Sequence, residues 1–340
     1  MQLPSPAREQ TPMTADSSTL NIKTKPQRTR DARPEPCFLR LSHSLPFPSS
    51  KLKPRNPLPN SPKLRVAAIH FLNPAPLMYD FEHPPRAAEL ATRYDLHYTQ
   101  PSLCARDLLE GRADLGLIPI AALTPELAVV PGCAIASLNH VRSILLLIKR
   151  PHTLHTLRTL AIDTASRSSV AYTEILLRKF SGNAAAFFLH PADPVAMLQE
   201  NDAALLIGDP ALLARERQGQ IEAAVGPCTW LDIAHEWHTR TGLPWVAAVW
   251  AVRPNALTPE TSAQLVQELN LSRDHGLAHI EDLVREWTAR IDLPPVTIRQ
   301  YLNHNIHYHL DPDCIRALSL FRRYAAEIDI LPPIDHLRFL

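Results

Sequence analysis

The strongest constraint on the fold is an alternation of short apolar runs with helix-like stretches, which begins at Lys63. Apolar runs at 64–69, 159–163 and 203–208 are each followed by a segment with helical spacing, and such a segment at 102–111 precedes the apolar run at 114–120. Such alternation is typical of α/β proteins, in which parallel strands are buried between layers of helices. The pattern therefore predicts parallel α/β sheets that are covered by helices on both faces.

Two longer apolar runs, 141–149 and 245–252, bracket the central part of this pattern. One lobe inserted into another through two crossing strands would produce this layout. We predict that residues 63–148 and 250–340 form lobe 1 and that residues 149–249 form the inserted lobe 2. Ligands of open α/β sheets bind beyond the carboxyl ends of the strands, so the predicted site is the cleft between the lobes.

Residues 1–62 differ in composition from the rest of the chain, with ten Lys or Arg, four Asp or Glu, twelve Pro and no Gly. Such a segment buries too little apolar surface to offset the entropy cost of ordering, and we predict a disordered Pro/Arg/Ser-rich tail. It lacks the continuous apolar stretch of a secretory signal. Its composition is also compatible with a transit peptide. We favour the other interpretation, that the segment is an extension without function.

The amino-acid composition limits the kinds of partner that this protein is expected to bind. The net charge of +1 at pH 7 provides no basic field for nucleic acid or a membrane surface, and no 18-residue apolar run predicts a membrane span. Five cysteines without a CxxC pair are typical of free thiols in a reducing compartment. We therefore expect a cytoplasmic protein that binds neither nucleic acid nor membranes, and we leave open whether it is a monomer or a homodimer.

Sequence motifs for cofactors and metals are missing. There is no GxGxxG and no Walker loop, so a nucleotide cofactor is not expected. His235 and His238 share a helical face without a third ligand. We interpret NHNIHYH, with His304, His307 and His309, as a helix end followed by an extended segment, because no cysteine or carboxylate pair clusters with these histidines. The sequence predicts no cofactor and no metal.

Uncharged donors are concentrated in loops that follow strands. Asn73, in HFLNPAPL, lies where the first strand ends and can face the cleft or stabilise the turn before Pro74. Arg142 and Ser143 open the apolar run at 141–149, and polar groups at the start of a buried strand need partners. We expect Arg142 and Ser143 to face the ligand.

The segment DTASRSSV opens a helix with Ser166, Ser168 and Ser169, and free N–H groups at a helix start favour a carboxylate. One serine would suffice as an N-cap, so we favour anion binding. Asp209 before Pro210 is typical of a helix start, and we favour capping over a ligand contact there. Together these loops predict a small dicarboxylate ligand, with binding and catalysis both left open.

From Leu64 to Leu340 the chain resembles the chorismate dehydratases of menaquinone biosynthesis. Each shared stretch is weak alone, but their order over about 277 residues is specific. The resemblance implies a two-lobed, periplasmic-binding-protein-like (type II) α/β fold with a ligand cleft between the lobes. The stretches are RVAAIHFLN, GRADLGLIPIAAL, VRSILL, SRSSV, LLIGDPAL, DIAHEWHTRTGLPWVAAVW and YLNHNIHYHLDPDCIRALSLFRRYAAEIDILPPI.

The resemblance also implies a reaction, the first of the futalosine route, in which chorismate loses water to give 3-[(1-carboxyvinyl)oxy]benzoate. It implies that the enolpyruvyl carboxylate of the substrate takes the proton from ring C3. Carried over by position, Asn73 and Ser143 would be catalytic donors, and Ser168 and Ser169 would hold a carboxylate. Pro119 stands where many relatives carry a hydroxyl. The full predicted set is catalytic Asn73 and Ser143 with substrate-binding Arg142, Ser166, Ser168, Ser169 and Asp209.

Two alternatives remain open on the sequence. One is the sibling enzyme, the 1,4-dihydroxy-6-naphthoate synthase of the same pathway; the IGDPAL and TGLPW stretches favour the dehydratase. The other is a non-catalytic protein that binds a small dicarboxylate, which would ordinarily require export.

Overall fold

The computed structural model describes residues 63–163, 167–334 and 336–340. The predicted tail, residues 1–62, and the predicted site residue Ser166 lie outside the described residues. Strands of the described chain form two sheets. The strands are β1 (Leu64–Ile69), β2 (Tyr94–Thr99), β3 (Leu115–Pro119), β4 (Ala128–Ser137), β5 (Ile144–Lys149), β6 (Thr159–Asp163), β7 (Ala186–His190), β8 (Ala203–Ile207), β9 (Cys228–Asp232), β10 (Trp245–Val252), β11 (His307–Leu310) and β12 (Arg338–Phe339).

The first sheet has the strand order β11-β4-β10-β3-β1-β2, and β12 also pairs with β4. Strand β1 runs parallel to β2 and β3, whereas β10 runs antiparallel to β3 and β4. The second sheet has the order β7-β6-β8-β5-β9, with β6 parallel to β7 and β8 and with β5 antiparallel to β8 and β9. The fold is therefore two-lobed, with the strands of the second sheet lying between those of the first along the chain.

The prediction of parallel sheets was wrong for the two long apolar runs, which form the antiparallel strands β5 and β10. Continuous apolar sequence identifies a strand buried on both faces but does not give its direction. The run at 141–149 was predicted to cross between the lobes, yet β5 begins at Ile144 and belongs to the second sheet. Residues 138–143 make that crossing, and the return passes through residues 233–244. The residue boundaries of the two lobes stay a prediction.

Helices pack around both sheets. The C-terminal third is mostly helical. The helices of the described chain are α1 (Tyr79–Glu82), α2 (Arg86–Leu90), α3 (Pro101–Leu109), α4 (Ser168–Ile175), α5 (Pro194–Glu200), α6 (Gly208–Glu216), α7 (Gln218–Val225), α8 (Ile233–Thr241), α9 (Pro259–Ala278), α10 (Ile280–Arg290), α11 (Pro295–Gln300) and α12 (Pro312–Glu327). There are also 3₁₀ turns at Ala75–Met78 and Ile120–Ala122 and π-helical turns at Leu176–Phe180 and Tyr301–Asn305.

Helix α4 belongs in sequence to the second lobe but packs on the first. Tyr172 on α4 is fully buried, and its hydroxyl donates to the Val246 carbonyl in β10 at 3.2 Å. Its ring lies 4.9 Å from Trp237 and 4.4 Å from Phe321, measured between ring centroids. Aromatic pairs of this kind contribute about 0.5–1.5 kcal/mol beyond the burial of their area. The start of α4 is therefore held firmly beside the cleft.

Candidate functional site

A cleft that is partly open to solvent lies between the two lobes. Its walls come from the loop after β1 and from β3 and β10 on one side, and from β8 and the start of α4 on the other. Among the described residues that line it, the polar or charged side chains are Asn73, Arg167 and Ser168.

Asn73 lies on the loop after β1, and helix α9 holds that loop in place. A Cβ atom on Gly276 of α9 would come within 2.1 Å of the Pro76 carbonyl oxygen, so the two backbones can approach only because residue 276 is glycine. The Oδ1 atom of Asn73 is buried and accepts no hydrogen bond from the described residues. An unpaired buried polar atom costs roughly 1–3 kcal/mol. The amide therefore keeps hydrogen-bonding capacity for a ligand at the cleft wall.

Ser143 lies beside the cleft wall and is 1% exposed. Its Oγ accepts a hydrogen bond from the Tyr301 hydroxyl at 2.7 Å, and its carbonyl accepts from the Gly208 N–H at 2.8 Å. Ile144, the next residue, and Gly208 line the cleft. The predicted catalytic Ser143 is thus adjacent to the lining residues, although it is not one of them.

Arg142 is held away from the lining residues. Its backbone has a φ of 63°, in the left-handed region that few non-glycine residues adopt, and its N–H donates to Asp232 Oδ2 at 2.7 Å. The guanidinium donates to Gln300 Oε1 at 3.0 Å. The structure therefore places Arg142 in the connection between the lobes, where it contacts the C-terminal region and not the cleft.

Ser168 and Ser169 are both buried at the first two positions of α4, whose N-cap residue is Arg167. Ser168 lines the cleft, but its hydroxyl already donates to the Ala247 carbonyl at 3.0 Å and accepts from the Ala121 N–H at 3.3 Å. Ser169 is not among the lining residues. The hydroxyl of Ser168 thus ties the start of α4 to the first lobe.

Arg167 is the functional candidate that the sequence analysis missed. Its side chain lines the cleft, and burial lowers the pKa of its guanidinium below the usual value. Within the described part of the chain, no carboxylate pairs with it. A guanidinium in a cleft without a counter-ion suits a carboxylate ligand, which it can bind through two parallel hydrogen bonds. The sequence feature that could have identified Arg167 is a single arginine among serines at a strand-to-helix junction.

The predicted capping role of Asp209 was wrong. Helix α6 begins at Gly208 with Ile207 at the N-cap and has no side-chain cap, so Asp209 already lies inside the first turn. Its Oδ1 instead accepts the Leu72 N–H at 3.1 Å, which joins α6 to the loop after β1. Burial raises the pKa of Asp209 to about 6, partly offset by the Leu72 N–H and by His70. Asp209 is a titratable contact between the lobes.

The histidine segment was correctly predicted to be a helix end followed by an extended segment, the π-helical turn and β11. However, the structure brings His307 together with Asp311 and Cys314, whose ligand atoms lie within 4.8 Å of one another and could hold a metal ion. Asp311 also caps α12 by accepting the Cys314 N–H at 2.8 Å. The spacing of these three residues in the sequence did not reveal the cluster, because the chain passes directly from β11 into α12 and only this turn brings the side chains together.

Among the residues that the structure describes, no helix is long and apolar enough to cross a membrane.

Comparison with known proteins connects this geometry to a family. The family described as "Menaquinone biosynthesis" matches residues 64–327 of the chain. The chain belongs to this family. A curated relative in Thermus thermophilus, named chorismate dehydratase, is 30% identical over 227 residues, which is 63% of this chain and 80% of the relative.

Solved structures that resemble this family member share its fold. A protein of Archaeoglobus fulgidus superimposes with a TM-score of 0.63 at 15% identity, covering 79% of this chain and 98% of its own. The aliphatic sulphonate binding protein of Escherichia coli gives 0.56 at 16% identity, with coverages of 82% and 94%. A Candida albicans protein with the generic periplasmic binding protein fold gives 0.55 at 12% identity, with coverages of 81% and 92%. The predicted fold is confirmed.

Proposed function

We propose that this chain removes water from chorismate to give 3-[(1-carboxyvinyl)oxy]benzoate for menaquinone biosynthesis. The observation that carries the proposal is the cleft guanidinium of Arg167, which has no carboxylate partner among the described residues. Chorismate is a dicarboxylate, and one of its carboxylates would supply that partner. The Thermus thermophilus relative, named for this activity, supports the choice of substrate.

The reaction needs no external oxidant or reductant. The C3–H bond of the ring breaks and its electrons form the new ring double bond, while the C4–O bond breaks and its electrons leave with the hydroxyl. The proton from C3 and the departing hydroxide together make one water, and the ring becomes aromatic. What the protein must supply is therefore orientation of the substrate and stabilisation of the charge that develops.

Asn73 and Ser143 are the proposed donors that act on this charge. Asn73 lines the cleft, where its Nδ2 would be the donor and its Oδ1 accepts no hydrogen bond from the described residues, and Ser143 retains its own hydroxyl hydrogen after accepting from Tyr301. Neutral donors of this kind stabilise a transition state because they are already oriented when the charge appears. Arg167 would hold one substrate carboxylate through ground state and transition state alike.

The proposed proton acceptor is the enolpyruvyl carboxylate of the substrate. Asp209 is the alternative within the protein, and a carboxyl whose pKa is raised to about 6 is suited to accept a proton near neutral pH. Asp209 is not among the residues that line the cleft, however, and one of its oxygens already accepts the Leu72 N–H. We therefore assign Asp209 to the contact between the lobes.

The test uses the purified full-length chain with chorismate, a metal chelator and no nicotinamide or flavin. We expect an aromatic product that equals chorismate minus one water and keeps its vinyl protons, identified by proton NMR and mass spectrometry. Binding of chorismate without turnover would instead support a binding protein. The naphthoate synthase alternative predicts that chorismate is left unchanged. A cytoplasmic location and a monomeric or homodimeric state remain predictions.

A further inference from the structure

The C-terminal π-helical turn holds the segment that connects β4 to β5. This connection carries Ser143 and crosses between the lobes, and the turn follows directly after α11. Three side-chain hydrogen bonds join the two segments, which lie about 160 residues apart in sequence. They are Arg142 Nη1 to Gln300 Oε1 at 3.0 Å, the Tyr301 hydroxyl to Ser143 Oγ at 2.7 Å, and Asn305 Nδ2 to the His140 carbonyl at 2.9 Å.

The central contact has a defined direction. Tyr301 and Ser143 are each 1% exposed, so neither hydroxyl exchanges partners freely with water. Burial raises the pKa of Tyr301 above its ordinary value, and the phenol keeps its proton. A phenol is a stronger hydrogen-bond donor than an alkyl alcohol, and Ser143 Oγ is the acceptor. The hydrogen of the Ser143 hydroxyl is then left to donate elsewhere.

We propose that Tyr301 is a positioning residue, which orients the Ser143 hydroxyl so that it donates into the cleft. This role rests on the proposed dehydration of chorismate, in which Ser143 acts on the developing charge. Ile144, the next residue in the chain, and Gly208 line the cleft, and the Gly208 N–H donates to the Ser143 carbonyl. Because Ser143 Oγ accepts from Tyr301 and the Ser143 carbonyl accepts from the Gly208 N–H, fewer orientations remain for the hydrogen of the Ser143 hydroxyl.

A second buried tyrosine supplies a matched control. Tyr308 in β11 is 2% exposed, and its hydroxyl has no hydrogen-bond partner in the part of the chain that the structure describes. Removing that hydroxyl changes a buried phenol to a phenyl ring without removing a hydrogen bond. Tyr308→Phe therefore measures the general effect of the substitution, and Tyr301→Phe adds the loss of the contact to Ser143.

The experiment is a double-mutant cycle with the full chain and chorismate. We expect Tyr301→Phe to lower kcat about 10-fold with KM changed less than about 2-fold, because orientation of Ser143 matters chiefly in the transition state. This is less than the roughly 10²–10³-fold loss expected for a direct donor. In the Ser143→Ala background the Tyr301→Phe change should have almost no further effect, and Tyr308→Phe should keep wild-type kcat.

Melting temperatures of all variants establish that each is folded. If wild type is active and Tyr301→Phe lowers kcat equally with and without Ser143, the positioning role is wrong while the proposed function stands. An unchanged kcat in folded Tyr301→Phe leads to the same conclusion. If wild type does not convert chorismate, the proposed function is wrong and this role is wrong with it.

Discussion

Among the contacts that join the lobes, two beside the cleft differ in chemical kind. At the start of α4, neutral hydroxyls of Ser168 and Tyr172 donate to carbonyls of β10 at 3.0 and 3.2 Å. At the start of α6, the ionisable Asp209 accepts the Leu72 N–H at 3.1 Å. The first contact does not change its charge with pH, whereas the second does. We infer that α4 fixes the relative position of the lobes and that α6 adds a contact sensitive to pH.

The polar groups around the cleft also fall into two kinds, those with hydrogen-bond partners in the protein and those without. The hydroxyl of Ser168 is satisfied by protein partners, while the Asn73 amide oxygen and the Arg167 guanidinium have none among the described residues. Groups with partners hold the walls, and groups without them are available to a substrate. The predictions below test this division, beginning with the largest expected effect.

Asn73→Ala should lower kcat for chorismate by roughly 10²–10³, the loss that follows removal of one preorganised donor. KM should change much less, because the amide acts mainly on charge that develops in the transition state. Steady-state kinetics with a melting curve of the variant check this. A folded variant with wild-type kcat would show that Asn73 only shapes the turn before Pro74.

Arg167→Gln should raise KM for chorismate by roughly 10- to 100-fold, since a hydrogen-bonded charged group contributes about 1.5–3 kcal/mol. Turnover at saturating substrate should be far less affected. Arg178→Gln is the control, because it removes the same charge from a residue that pairs with Glu174 on the surface. Equal KM values for the two variants would contradict a carboxylate site at Arg167.

Ser168→Ala should affect stability more than substrate binding, in contrast to what the sequence predicts for this serine. Removing its hydroxyl leaves the Ala247 carbonyl and the Ala121 N–H without that partner, which should cost roughly 1–3 kcal/mol in the free energy of unfolding. Ser319→Ala, at an exposed serine bonded within its own helix, is the control in denaturant titrations. A large rise in KM with unchanged stability would instead place the Ser168 hydroxyl on the substrate.

Asp209→Asn should have the smallest effect on activity, and its effect should instead be visible as a pH dependence of stability. Because burial raises the pKa of Asp209 to about 6, the native state binds this proton more tightly than the unfolded state. Stability of wild type therefore falls, relative to the variant, as the pH rises from about 4 to about 6, by up to about 3 kcal/mol. Unfolding titrations at several pH values check this, with Asp193→Asn at an exposed helix cap as the charge control. A difference that does not change with pH would contradict the raised pKa.

The sequence predicted regular elements better than the contacts between them. Bounds of β1, β6 and β10 were correct, because their apolar patterns are uninterrupted. Strand β4 was missed because Pro131 and Gly132 indicate a turn, whereas in the sheet they lie where the pairing of β4 with β10 shifts register. Gly132 has a φ of 98°, as such an irregularity requires.

At the site, the sequence identified the loops that reach the cleft, but not whether each polar group on them already has a hydrogen-bond partner. Asn73 and Ser168 reach the cleft as predicted, and Arg142 does not. The Arg167 guanidinium, which has no carboxylate partner among the described residues, and the contact between Tyr301 and Ser143 depend on packing between segments far apart in the chain. Local pattern reports which residues begin a helix, but it cannot report which of their polar atoms already have partners.

The central claim is that neutral donors of the cleft, and not a carboxylate of the protein, carry the reaction. The most direct measurement compares kcat for chorismate in Asn73→Ala and Asp209→Asn, side by side with wild type. We predict a loss of roughly 10²–10³ for Asn73→Ala and less than about 3-fold for Asp209→Asn, whose amide oxygen can still accept the Leu72 N–H. A folded but inactive Asp209→Asn beside an active Asn73→Ala would contradict the account and identify Asp209 as the base.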